Sequence, residues 1–218
     1  MQKTFVKPLV LITVVIALIM SAIALALSKP AALKATTIDT KGQPTLGNPA
    51  APVHIVAFED LKCPNCARFN VEVLPAIKKK YINTGVAKYI LITLAFLPGS
   101  PPAGNAALCL YKQNKNYFFP FVSYLYQRQP DETQNWATIP RLLQFARNSV
   151  PQANMKQLSN CIFSSRYSGA LQKNLKIAEK TMNPVATPAV YVNGVNVEPL
   201  TQKRLEALIK GARSRTKN

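Results

Sequence analysis

The chain has 218 residues, a formal net charge of +18, four cysteines and a single histidine. With 48% apolar and 17% charged residues it is globular rather than disordered or fibrous, and its length fits one domain with an insertion or two small ones. One histidine, His54, rules out several histidine metal centres and leaves any Ser-His-Asp relay a single candidate base.

Lys3 and Lys7 precede an uncharged run from Leu9 to Leu27, and Ala24-Leu25-Ala26 offers a small-x-small cleavage site. The run exceeds a typical signal core of ~7–15 residues. It approaches the ~20 residues of a bilayer-spanning helix. Residues 1–28 therefore read as a cleaved signal peptide or an uncleaved N-terminal anchor. Either places the rest in a periplasmic or other extracytoplasmic space, where disulfides persist. Residues 29–50 are rich in Pro, Ala, Thr and Gly, without an apolar period, and read as a linker.

Val53 to Phe58 reads as a buried strand. Pro64 to Tyr81 has helical spacing, with Pro64 in the first turn, lysines in the last, and Pro75 predicting a kink. Val86 to Leu97 reads as a second buried strand. Residues 99–183 open on a Pro- and Gly-rich break and then read as several helices. Ala189 to Val192 and Val195 to Val197 flank Asn193-Gly194 as a hairpin, and Thr201 to Ala212 is a closing helix with Thr201 as N-cap. The expected class is α/β. Residues 51–98 and 184–213 form the framework, 99–183 an inserted helical domain, and 214–218 a basic tail.

Cys63-Pro64-Asn65-Cys66 lies between the first strand and the first helix. A thiol at a helix N-terminus faces unpaired N–H groups and the positive end of the dipole, which favour a thiolate. Cys63 is the expected nucleophile, and Cys66, one turn deeper, the thiol that resolves a mixed disulfide. Pro64 and Asn65 shape the turn between the sulfurs. A zinc half-site is the competing reading, but no second ligand pair accompanies it; neither metal nor cofactor is implied. A purely structural Cys63–Cys66 bridge would close too short a loop to stabilise much. Thr187-Pro188 precedes the last strand pair, and from the residues alone Pro188 is an ordinary trans proline opening a strand.

With Phe58-Glu59-Asp60-Leu61-Lys62 ahead of the motif, Arg68-Phe69, Leu74-Pro75, Lys79-Lys80-Tyr81 and Thr84-Gly85 after it, and Thr187-Pro188 and Val192-Asn193-Gly194 near the end, the chain resembles the DsbA-like thiol:disulfide oxidoreductases over about residues 45–213. The resemblance implies a thioredoxin-like fold with an inserted all-helical domain. It also implies a cis Pro188 beside the active cysteines and a Thr187 that offers backbone groups to an extended substrate. The implied activity is dithiol oxidation of reduced secreted proteins, by a monomer that a membrane partner reoxidises. Isomerase or reductase activity on the same fold is the alternative, as is a peptide-binding chaperone without redox turnover. Relatives often carry a buried acid six residues before the first active cysteine, where this chain has Ala57. Glu59 is a candidate replacement as proton route, against the plainer reading of Glu59 and Asp60 as a solvated pair at a strand end. In an exported protein Cys109 and Cys161 are expected to pair as a structural disulfide, the alternative being two buried thiols.

Between Thr133 and Ala178 there are bases, such as Arg141, Arg147, Lys156 and Lys173, and no acids. The plain reading is a solvated face. Attraction to an anionic membrane surface is the functional alternative. No nucleic-acid motif accompanies the charge.

Overall fold

The structure, a computed structural model, describes residues 6–27 and 34–215. Val6–Leu27 is a helix, α1. Its side chains are described for residues 10–21, all exposed. Among the described residues no helix is long and apolar enough to cross a membrane. The expected n-region at Lys3, residues 28–33 of the signal and linker, and residues 216–218 of the tail lie outside the described residues.

From Ala35 onward the chain forms a unit separate from α1. Among its described residues the strands are β1 (Thr45–Leu46), β2 (Val53–Asp60), β3 (Ala87–Leu94), β4 (Ala189–Val192) and β5 (Val195–Asn196), in the order β1-β3-β2-β4-β5. β2 and β3 run parallel; the other pairings are antiparallel. β2 is central and buried on both sides, so its sequence is nearly continuously apolar.

The period-2 alternation sorts β2 between two cores. Val53, Ile55 and Ala57 pack with the helical run that follows β2 and with the closing helix α8 (Gln202–Arg215). Val56 and Phe58 pack with Ile90, Ile92 and Tyr191 under Ala178 and Ile177 of α7 (Ser168–Thr181). α8 buries Leu205, Leu208, Ile209 and Ala212, one stripe at helical spacing. Between β3 and α7 lie α3 (Pro101–Gln113), α4 (Phe118–Gln127), α5 (Ile139–Ser149) and α6 (Met155–Phe163). The last helix of the expected insertion, α7, thus covers the second face of the sheet.

The helical run 64–82, α2, alternates α and π turns: Pro64–Arg68, Phe69–Val73, Leu74–Ile77 and Lys78–Ile82. Pro75 has no N–H to give the carbonyl four residues back. The Leu74 N–H reaches to Phe69 O instead, and the irregularity expected at Pro75 takes the form of a π bulge just ahead of it.

Two expectations about boundaries need correction. β2 continues through Glu59 and Asp60, paired with Thr93 and Leu94, where the charged residues had read as the strand's end. Residues 35–50, expected as linker, belong to the folded unit. Thr45 and Leu46 pair with Ile90 and Tyr89, Ala35 bridges Val195, and Thr36 N–H donates to Gly194 O at 2.8 Å. In the hairpin turn Asn193 and Gly194 have φ of 45° and 81°. A Cβ on Gly194 would meet Thr36 O at 2.2 Å, so only glycine admits this segment.

Candidate active site

Cys63 is the N-cap of α2, with extended backbone (φ −77°, ψ 121°) and Pro64 in the first helical turn. Its own N–H donates to Asp60 O at 3.0 Å. The chain leaves β2, makes one tight turn and enters the helix, which aims the first N–H groups of α2 at the Cys63 sulfur. Pro64 and Asn65 are exposed; Cys63 is 6% exposed and Cys66 not at all. Both cysteines are free thiols.

The Thr187–Pro188 peptide bond is cis. Cys63 Sγ lies 3.4 Å from Thr187 O, so the structure brings together two segments far apart in the chain. Thr187 and Pro188 are half-buried at the start of β4. The other two cysteines form a disulfide, Cys109–Cys161, joining α3 to α6. Among the described residues no cluster of three His, Cys, Asp or Glu could hold a metal ion.

The two thiols have opposite electrostatics. The Cys66 thiol, donating to the Cys63 sulfur, does most to hold Cys63 down at about 6. Burial opposes it; the Thr187 side chain and the N–H groups of Cys66 and Asn65 add to it. Burial drives Cys66 well above the ordinary thiol range, reinforced by its bond to Cys63 and by the charges of Glu59 and Cys63. At neutral pH one sulfur is a thiolate that solvent barely reaches and its neighbour a fully buried thiol.

Glu59 and Asp60 are not a solvated pair: both are fully buried. Glu59 shares the sheet face of Ala57, two residues farther along β2 and nearer the cysteines. Tyr89 Oη of β3 donates to Oε1, and Asn70 Nδ2 of α2 donates to Oε2 at 2.7 Å and to Cys66 O at 3.1 Å. Burial pushes Glu59 up to about 7. Hydrogen bonds from Tyr89, Tyr126 and Asn70 restrain the rise, and the Cys63 charge adds to it. Asp60 turns the other way. Its carboxylate accepts from Lys62 N, Phe96 N, Leu97 N and Ser100 Oγ, at 2.9 to 3.1 Å. Lys62 Nζ donates to Pro98 O at 2.9 Å, so the side chains of Asp60 and Lys62 both tie the cysteine loop to the segment after β3.

Asp60, Asn70, Tyr89 and Tyr126 had no place in the expected site. They come from β2, α2, β3 and α4, and no local pattern connects them. The one available signal was periodicity, since Glu59 continues the buried odd positions of β2.

A reactive thiolate at a strand-to-helix turn, a buried thiol one turn behind it and a cis proline opposite define a thioredoxin-fold dithiol protein. Known proteins agree. The family model described as thioredoxin matches residues 39–211. Disulfide bond formation protein D of Bacillus subtilis is 35% identical over 154 residues, 70% of this chain and 68% of that protein. The crystal structure of oxidised BdbD from Bacillus subtilis superposes with a TM-score of 0.78 at 29% identity, covering 83% of this chain and 97% of that one. Chlamydia trachomatis DsbA superposes with a TM-score of 0.75 at 31% identity, covering 85% and 98%. The chain belongs to the DsbA-like thiol:disulfide oxidoreductase family, and it is an enzyme of thiol–disulfide exchange.

Proposed function

We propose that the enzyme works outside the cytoplasm as a dithiol oxidase, making disulfides in secreted proteins, with Cys63 as nucleophile and Cys66 as the resolving thiol. The observation that carries this is the Cys63 thiolate, held at about 6. A thiolate at neutral pH stabilises the reduced enzyme relative to its disulfide, which makes the disulfide the stronger oxidant. Against a thiol of pKa 9.0, a pKa of about 6 favours the reduced form by ~1.4 kcal/mol at pH 7, or ~30 mV for this two-electron couple.

A substrate thiolate attacks Cys63 Sγ and breaks the Cys63–Cys66 bond. Cys66 leaves as a thiolate and takes a proton from Glu59, whose pKa near 7 suits exchange in either direction. A second substrate thiolate then attacks the substrate sulfur bound to Cys63. That forms the substrate disulfide and releases the Cys63 thiolate. The substrate is oxidised by two electrons and the enzyme reduced by two; a membrane partner accepts them when it restores the Cys63–Cys66 bond. Thr187, beside the sulfur, offers its backbone to an extended substrate, and Cys109–Cys161 serves as a structural staple.

The test is the reduction potential of Cys63–Cys66, measured in glutathione buffers. A value toward about −120 mV supports the oxidase. A value toward about −270 mV, the thioredoxin range, overturns it in favour of a reductase. Loss of all turnover in Cys63→Ser separates either enzyme from a peptide-binding chaperone.

A further inference from the structure

Glu59 sits in a closed cradle. Cys66, Glu59 and Tyr89 are fully buried, and Tyr126 is 3% exposed. On the cysteine side, a substrate joined to Cys63 covers the small area of sulfur that solvent reaches. A proton carrier enclosed in this way still needs contact with water once per cycle.

Asn70 is the exception in the cradle, being half-buried. It lines a groove of about 1080 Å³ between α2, the edge strand β1 and α4, walled also by Lys78, Lys88, Tyr111, Phe119 and Tyr124. None of residues 60–66 or 183–191 lines that groove, so it is not the Cys63–Thr187 surface. Both partners of Asn70 Nδ2 are acceptors, a carboxylate oxygen and a carbonyl, so the amino end must point inward. Oε2 of Glu59 therefore lies one side chain from groove water, while Oε1 faces the buried Tyr89 hydroxyl. The groups facing the carboxyl are Tyr89 from β3, Tyr126 from α4, and Cys63, Cys66 and Asn70 from α2. None of them offers another way out.

We propose that Glu59 exchanges its proton with groove water that reaches Oε2 beside the Asn70 side chain, which makes Asn70 a positioning residue for the step in which Cys66 gains or loses its proton. The inference rests on Glu59 being the proton carrier. It gives the enzyme a proton path that a bound substrate leaves open. When Cys66 resolves a mixed disulfide, its sulfur bonds to Cys63 Sγ and the substrate leaves as a thiolate. The Cys66 proton passes to Glu59 and then to groove water.

Ellman's reagent reads the two steps apart. The Cys63 thiolate takes one thionitrobenzoate and releases one; attack by Cys66 then releases the second. Asn70→Leu replaces the polar contact by a plug. It should slow the second release by about tenfold or more across the pH profile while the first stays within about twofold. Asn70→Met serves as the plug if the leucine variant does not fold. Asn70→Ser removes the same hydrogen bonds but leaves the opening. It should move the inflection of the second step to higher pH, having lost a donor to the carboxylate, and keep its plateau rate. In Glu59→Gln the second step should be slow, and adding Asn70→Leu should slow it no further. If Glu59→Gln is as fast as the parent, Glu59 is not the carrier and the proposal falls with it. If Glu59→Gln is slow and the plugged variant fast, the carrier stands and the route through Asn70 is wrong. Equal loss of plateau in the serine and leucine variants also overturns the route, since Asn70 would then act by its hydrogen bonds alone.

Discussion

Glu59 and Asp60 are consecutive, both fully buried, and serve opposite sides of the sheet. Glu59 projects with Ala57 toward the cysteines and is held by Tyr89 and Asn70. Asp60 ties the loop before Cys63 to residues 96–100. The pleat alone separates them: one acid faces the cysteines, the other fixes the loop that presents Cys63. Two buried acids at the end of a central strand are costly unless bonded, and here every oxygen has a partner.

The Cys63 thiolate is the first quantity to measure. Alkylation of the reduced protein by iodoacetamide should follow a titration centred near pH 6. In Thr187→Val the midpoint should rise, because the Thr187 side chain is one of the donors that favour the thiolate. A midpoint that stays put in the variant would show that the Thr187 side chain contributes nothing to the thiolate.

Much of this was legible in the sequence for physical reasons. The strand–CPNC–helix order needs only local rules, because a proline in a first turn and a run of β-branched residues each point to one structure. The Asn193-Gly194 hairpin is equally local. The cradle around Glu59 was not legible, since Asn70, Tyr89 and Tyr126 meet only through the sheet and the helical block. The burial of Glu59 and Asp60 ran against the usual exposure of acids at strand ends. β1 has two residues and no period to detect, and the π turns of α2 follow from hydrogen bonds that helical spacing does not report.

Glu59 should also mark the pH dependence of stability. Its folded pKa of about 7 lies above the ordinary glutamate value of 4.5, so between those pH values the folded chain keeps a proton that the unfolded chain has released. Stability is then highest at the low end and falls as pH rises through this window, by ~3 kcal/mol from this group. Cys63 acts oppositely over a higher range, its depressed pKa adding stability to the reduced protein from about pH 6 to 9. Urea midpoints of the reduced protein across pH should show the decline, and Glu59→Gln should flatten it. An unchanged slope in that variant would assign the decline to other groups.

The Cys109–Cys161 bridge spans 52 positions. Replacing both cysteines with alanine should lower the unfolding free energy by on the order of 4 kcal/mol in the chain-entropy model. Exchange through Cys63 and Cys66 should persist wherever the variant remains folded. Loss of exchange in a folded variant would give the second pair a redox role instead.

Asp60 offers the sharpest separation between holding the site and doing its chemistry. Asp60→Ala leaves three backbone N–H groups and the Ser100 hydroxyl without their acceptor. A buried donor without a partner costs ~1–3 kcal/mol, so a total loss above ~3 kcal/mol is expected even if water recovers some bonds. Asp60→Asn keeps one acceptor oxygen and the shape, and should lose about half as much. Asp60 O also accepts the Cys63 N–H, so loosening this loop misaims the N–H groups of Asn65 and Cys66. The alkylation midpoint of Cys63 should therefore rise in Asp60→Ala at a pH and temperature where the variant is still folded. Denaturant unfolding and the alkylation titration test the two effects on the same sample. A large stability loss with an unmoved Cys63 midpoint would mean that the first turn of α2 holds its own geometry and that Asp60 supports only the segment after β3.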